Sequence, residues 1–143
     1  MSSSQSSEFN AALVPSSESR VVHTTHTLLK YVFAVVPVVA GADKFTNILA
    51  HWETYLSPFV LRIIPVSASS FMHLVGVIEI VAGIFVWLKP RLGGFVVMAW
   101  LLAIAGQLIL GWQSVDVAVR DIVIALTGAL TLARLTPITE RTS

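Results

Sequence analysis

Four long apolar stretches dominate the chain, and short polar breaks separate them. The first lies within Leu28 to Ala50, the second covers Ser67 to Leu88, the third Arg91 to Trp112 and the fourth Val115 to Leu135. Runs of about 18 or more apolar residues are long enough to cross the ~30 Å hydrocarbon core of a bilayer as helices. "KPR" at Lys89–Arg91 and "GWQSVD" at Gly111–Asp116 leave so little chain between spans that the helices they join must be antiparallel neighbours. The pattern predicts an all-α protein: a four-transmembrane-helix up-down bundle.

The link between the first two spans carries a different pattern. In "TNILAHWETYLSPFVLRIIPVS", Thr46 to Ser67, the apolar residues Ile48, Leu49, Trp52, Tyr55, Leu56 and Phe59 recur at helical spacing, with His51 and Glu53 between them. This predicts an amphipathic helix lying in the membrane interface, ended by Ser57-Pro58. It serves either as a plain surface lid or as a cap over a lateral opening in the bundle.

Composition agrees with the span count. Only 12% of residues are charged, about half the share usual in a soluble domain, ~25%. The chain has 143 residues, enough for one domain. The expected layout is a disordered, serine-rich polar tail over 1–20, a four-helix membrane domain over 21–136 and a short tail over 137–143. The first segment lacks the basic start and apolar run of a secretory leader. With four spans, Arg20, Lys30, Lys89, Arg91, Arg134 and Arg141 fall on one side, and Lys44, Arg62 and Arg120 on the other. The excess places both termini in the cytoplasm of a multi-pass protein of the inner (cytoplasmic) membrane. Trp87 and Trp112 mark interfaces.

The first span has a length problem. Its unbroken apolar run, Tyr31–Ala42, is about 18 Å long as a helix, well short of the core. The helix is therefore expected to continue past one end. Asp43 and Lys44 then lie below the outer surface and face protein. The same depth count places His73, Gln107, Arg120 and Asp121 in the outer half, with Glu79 near the midplane. Glu79 shares a helical face with Gly76, Ala82 and Gly83, and Asp121 with Ala118, Ala125 and Gly128. Small residues let helices approach closely in lipid, and ionisable groups there face the bundle interior. The expected buried polar cluster is thus Asp43, Lys44, His73, Glu79, Gln107, Arg120 and Asp121. Setting Lys44 and Arg120 against Asp43 and Asp121 leaves Glu79 without a cation, so it is expected to be carried neutral, with its proton.

This cluster admits several readings. It reads as hydrogen-bonded crosslinks between helices, as a quinone-type ligand or proton-transfer site, or, with little room for a pore, as a solute path. No nucleophile–base pair, phosphate loop or metal-ligand spacing stands out. The chain has no cysteine, which excludes disulfides, iron–sulfur ligation and covalent haem attachment. His23 and His26 share a face at three-residue spacing but read as an interfacial polar turn rather than a metal site. A net charge of +1 without a basic tract gives no reason to expect nucleic acid.

Three stretches resemble the DoxX-like family of small four-helix membrane proteins. They are "GADKFTNIL" closing the first span, "HLVGVIEIVAGIFVWLKPRLGGFVVMAWLLAI" across the second and third, and the fourth hydrophobic span. The shared pattern is a glycine and lysine at the end of span one, then G-x-x-E-x-x-x-G in span two. It covers most of residues 30 to 135, and Lys44 and Glu79 match family-like positions. The resemblance implies an accessory or quinone-interacting subunit of a membrane oxidoreductase system, because such proteins include subunits linked to quinone-dependent oxidation such as thiosulfate:quinone oxidoreductase. The implied cofactor is a quinone, held non-covalently. The implied partners are the lipid bilayer, a membrane or peripheral redox subunit and further copies of the chain. The alternative is a structural or assembly subunit without catalytic activity, and a third is a small proton or solute transporter. Fold-level likeness alone assigns no catalytic role.

Overall fold

A computed structural model describes residues 17–63, 65–112 and 114–142. Among these the chain is helical, with no strand. Helix α1 is Ser17–Asp43, with Pro37 inside it. A connection follows, holding a 3₁₀ turn at Trp52–Tyr55 and a short α2 at Pro58–Ile63. Helices α3, Ala68–Leu88, and α4, Pro90–Leu110, form a hairpin. The last helix has three parts: α5 over Val115–Ile124, a π-helical turn over Ala125–Ala129, and α6 over Leu130–Thr142.

Local chemistry sets these boundaries. Ser67 caps α3, its hydroxyl accepting from the Ser70 amide at 3.2 Å. Pro90 opens α4, where the missing amide is no loss, so "KPR" becomes a one-residue break. Asn47, Trp112 and Ser114 take left-handed backbone conformations without being glycine, which marks the sharpest turns of the chain. In the last helix the Thr127 hydroxyl donates to the Val123 carbonyl at 2.6 Å, and that of Thr131 to the Thr127 carbonyl. Such back-bonding accompanies helix distortion. The wide turn holds Gly128, where a Cβ would lie 2.5 Å from Phe33 Cζ.

The helices close into a ring in which α1 meets α3, α3 meets α4, α4 meets the last helix, and the last helix returns to α1. Phe33, Ala34, Ala82, Val86, Val97, Ala129 and Leu132 form the core of the ring. Close approach depends on glycine. A Cβ on Gly41 would lie 2.5 Å from the Gly76 carbonyl oxygen, and one on Gly83 at 2.5 Å from that of Ala34. Outside the ring, Val35, Val36, Val39, Leu74, Val77, Val81 and Ile84 are exposed. An apolar exterior of this extent fits lipid, not water. Three helices, α1, α3 and α4, are long and apolar enough to cross a membrane. The last helix is divided by the π turn and carries Asp116, Arg120 and Asp121 in its first part.

One expectation is met and one corrected. The first span, expected within Leu28 to Ala50, is helical there as far as Asp43, and its helix continues past the other end of the apolar run to Ser17. Gly41 packs on Gly76, which is about 12 Å inside the connection end of α3, so α1 stops while still about 9 Å inside that end. The opposite shift appears at its start. Tyr31 packs against Trp87 at 5.1 Å between ring centres, so the turns before Tyr31 project beyond α3, where His26 contacts Thr136 of α6. Ile48–Phe59 does not form one amphipathic helix. Residues 47–51 are irregular, and only two short helical pieces follow. The tail expected over 1–20 lies outside the described residues up to 16, and Ser17–Arg20 are already helical. The tail expected from 137 continues α6, with Pro137 inside the helix.

Candidate functional site

The end of α1 builds the site. Once the helix stops, the chain turns back over it, and the Asp43 carboxylate collects the amides that a continuing helix would have paired. Its Oδ1 accepts from Thr46 Oγ1, Ile48 N and Leu49 N, each at 3.0 Å. Its Oδ2 accepts from Leu49 N at 3.1 Å, Ala50 N at 3.3 Å and Trp52 Nε1 at 2.7 Å. This explains why the helical periodicity of Ile48–Phe59 does not become a helix: its first amides are already bonded to a side chain.

Lys44 turns the other way. Its Nζ donates to Glu79 Oε2 at 2.6 Å, with the side chains only 4% and 10% exposed. The Trp52 ring covers the ammonium at 3.7 Å from its centre. The indole therefore has two roles: its N–H holds Asp43 and its face holds Lys44. The pair lies about midway along α3. Towards the hairpin end it is followed by the apolar core around Phe33, Ala82 and Val86.

The charge count is thereby corrected. Lys44 is the partner of Glu79, not of Asp43, so Glu79 has a cation beside it and the reason for carrying it neutral falls away. Asp43 makes no ion pair among the described residues; backbone, hydroxyl and indole donors surround it instead.

The expected seven-residue cluster divides into parts. Asp43, Lys44 and Glu79 come together. His73 stacks on Phe45, its ring 4.9 Å away at 3°. Gln107 belongs to the connection: its Nε2 donates to the Tyr55 carbonyl at 3.0 Å, and its Oε1 accepts from the Ser57 amide at 3.2 Å. Arg120 and Asp121 pair with each other at 3.3 Å, the arginine largely exposed and the aspartate buried.

Sequence reasoning missed Trp52, which reads as one more apolar position of an amphipathic pattern. A carboxylate nine residues before a tryptophan, or a lysine eight before it, carries no local signal of their contact. It also placed His26 in an interfacial turn. His26 is buried, with Nε2 at 3.1 Å from Thr136 Oγ1. The Thr136 hydroxyl also lies 2.8 Å from the Leu132 carbonyl, to which it donates. Among the described residues no group of three or more His, Cys, Asp or Glu is placed to hold a metal.

A separate apolar groove of about 300 Å³ lies on the α3–α4 face, lined by Ile78, Ala82, Val96, Ala99 and Trp100. Trp100 Nε1 is buried and has no hydrogen-bond partner among the described residues, an unusual state for a buried donor.

No protein-family model, no curated protein and no solved structure matches the chain. The DoxX-like resemblance therefore rests on the motifs quoted for it.

Proposed function

We propose that this is a four-span accessory subunit of a membrane oxidoreductase system, binding a quinone-type ligand on its lipid-facing side rather than at the Lys44–Glu79 pair. The α3–α4 groove carries the reading. It is apolar, lies at membrane depth and is lined in part by Trp100, whose buried N–H has no acceptor among the described residues. A quinone offers a flat apolar ring and carbonyl acceptors. The redox context comes from the motif resemblance, and the fourth span is the α5–π–α6 helix. The termini are cytoplasmic by the distribution of basic residues.

The second reading is a structural or assembly subunit. It is favoured by the ion pair itself, whose charged groups already satisfy one another.

The test is purification in nanodiscs from the native membrane, with mass spectrometry of bound lipids, quinones and proteins, for the wild type beside Trp100→Phe. Phenylalanine keeps an aromatic ring and removes the N–H. Retention of a quinone weakened by about two- to tenfold, the worth of one neutral hydrogen bond, supports the first reading. A co-purifying partner without quinone, equal in both proteins, selects the second.

A further inference from the structure

We propose that the chain forms a two-fold dimer in the membrane, in which the turn Phe45–Ala50 of each copy packs against the Arg120 flank of α5 in the other. The turn gives half of the argument. Gly41 packs on Gly76, which places the end of α1 about 9 Å inside the connection end of α3. The Asp43 carboxylate takes the amides of residues 48–50, but no carbonyl of residues 44–50 accepts a hydrogen bond among the described residues. Thr46 and Asn47 are exposed, as are Ile48 by 80% and Leu49 by 67%. Irregular backbone at membrane depth persists only where protein or water covers it. The two large apolar side chains at the tip select protein.

α5 gives the other half. The short link Gly111–Ser114 holds its start level with the connection end of α4, so Arg120 lies about 8 Å inside that end, the depth of the turn. Its side chain is 64% exposed between the exposed Val119 and Val123, although ionisable groups at membrane depth ordinarily face protein or water. Its Nε and Nη2 share a single acceptor, Asp121 Oδ1, at 3.3 Å, and Nη1 makes no hydrogen bond among the described residues. Four-residue steps lead from Arg120 through Ile124 to Gly128, the wide π turn offsetting their drift. Gly128 packs on Phe33 of α1, so Arg120 lies on the flank of the last helix next to α1. α1 itself meets that helix along the π turn and α6 and leaves this flank of α5 uncovered. One face of the molecule thus carries acceptors without donors beside donors without acceptors, at one depth. A second copy related by an axis along the membrane normal keeps that depth and sets each against the other, twice. Ile48 and Leu49 then meet Val119 and Val123. The α3–α4 groove lies on the opposite side and stays open to lipid.

The chain lacks cysteine, so paired single thiols report contact between copies. Leu49→Cys and Val119→Cys are placed in two differently tagged chains, made together and oxidised in the membrane. A disulfide-linked heterodimer is expected. Leu49→Cys paired with Leu74→Cys, an exposed α3 position at similar depth, is expected to give none. No 49–119 link, or equal linking of both pairs, would overturn the proposal. Independently, photobleaching steps of the labelled chain diluted in bilayers should show dimers, and Arg120→Gln should weaken them more than tenfold, as for loss of hydrogen bonds from a charged group. A wild type that is monomeric at every dilution would overturn the proposal. Rapid reaction of Asn47→Cys with a membrane-impermeant thiol reagent would also overturn it, by assigning the turn to water.

Discussion

The Lys44–Glu79 pair makes the sharpest claim on stability. At 2.6 Å, two unit charges attract by roughly 6 kcal/mol at an effective dielectric of about 20. Burial offsets most of that, because both groups lose water. The net worth of the pair is therefore small, while the cost of breaking it is large. Lys44→Met alone leaves a buried carboxylate beside a methionine and also removes the cation from the Trp52 face, worth about 0.5–2 kcal/mol. Glu79→Gln alone leaves a buried ammonium. Each single change should cost about 3–5 kcal/mol. The double variant Lys44→Met/Glu79→Gln removes both charges and should cost less than the sum by at least about 2 kcal/mol. The assay is reversible unfolding in mixed detergent–SDS micelles, followed by tryptophan fluorescence, with the four proteins compared as a double-mutant cycle. Additive costs would refute the reasoning, since they would mean that the two charges do not interact. A double variant that is stable but loses its ligand or partner would move the working site to this pair.

Two further substitutions test the frame around it. Asp43→Asn places an amide NH₂ where one carboxylate oxygen now accepts, setting it against either Trp52 Nε1 and Ala50 N or Thr46 Oγ1 and Ile48 N; at about 1–3 kcal/mol per donor left unpaired, hydrogen exchange across 46–52 should rise while the α3–α4 hairpin stays protected, and unchanged exchange would count against the cap. Gly41→Ala drives a methyl to 2.5 Å from the Gly76 carbonyl oxygen and should cost about 1–3 kcal/mol in the same unfolding assay, whereas Gly106→Ala meets nothing within 4 Å and should be neutral or stabilising by up to about 1 kcal/mol.

The second and third spans were legible because hydrophobic run length is a local property. Ser67–Leu88 and Arg91–Trp112 lie within a residue or two of α3 and α4, and the interior faces of Glu79 and Asp121 followed from helical geometry, both residues being buried. The pairings were not legible. Lys44 reaches Glu79 because Gly41 and Gly76 bring two backbones into contact, and neither glycine states in sequence which glycine it will meet. The π turn was invisible for a similar reason. It holds Gly128, which packs against Phe33 of α1, a contact far apart in sequence.

The length problem of the first span was visible, and so was its continuation past one end, which α1 makes by starting at Ser17; its stop at Asp43 was not. A helix that stops leaves its last carbonyls, and the amides of the residues that follow, without helical partners. Asp43 changes that balance. One carboxylate at the last helical position offers two oxygens, and the chain folds over them so that the stranded amides of residues 48–50 are bonded without a further helical turn. The charge needed for this makes no ion pair among the described residues, but it lies among oriented N–H and O–H dipoles, which stabilise an anion. Lys44 is then free to cross to Glu79. The adjacent Asp–Lys of the sequence is therefore not an ion pair: the acid ends a helix early, and the base fastens that shortened end to the middle of its neighbour. Trp52 contacts both, so the turn cannot lift from Asp43 without also uncovering Lys44.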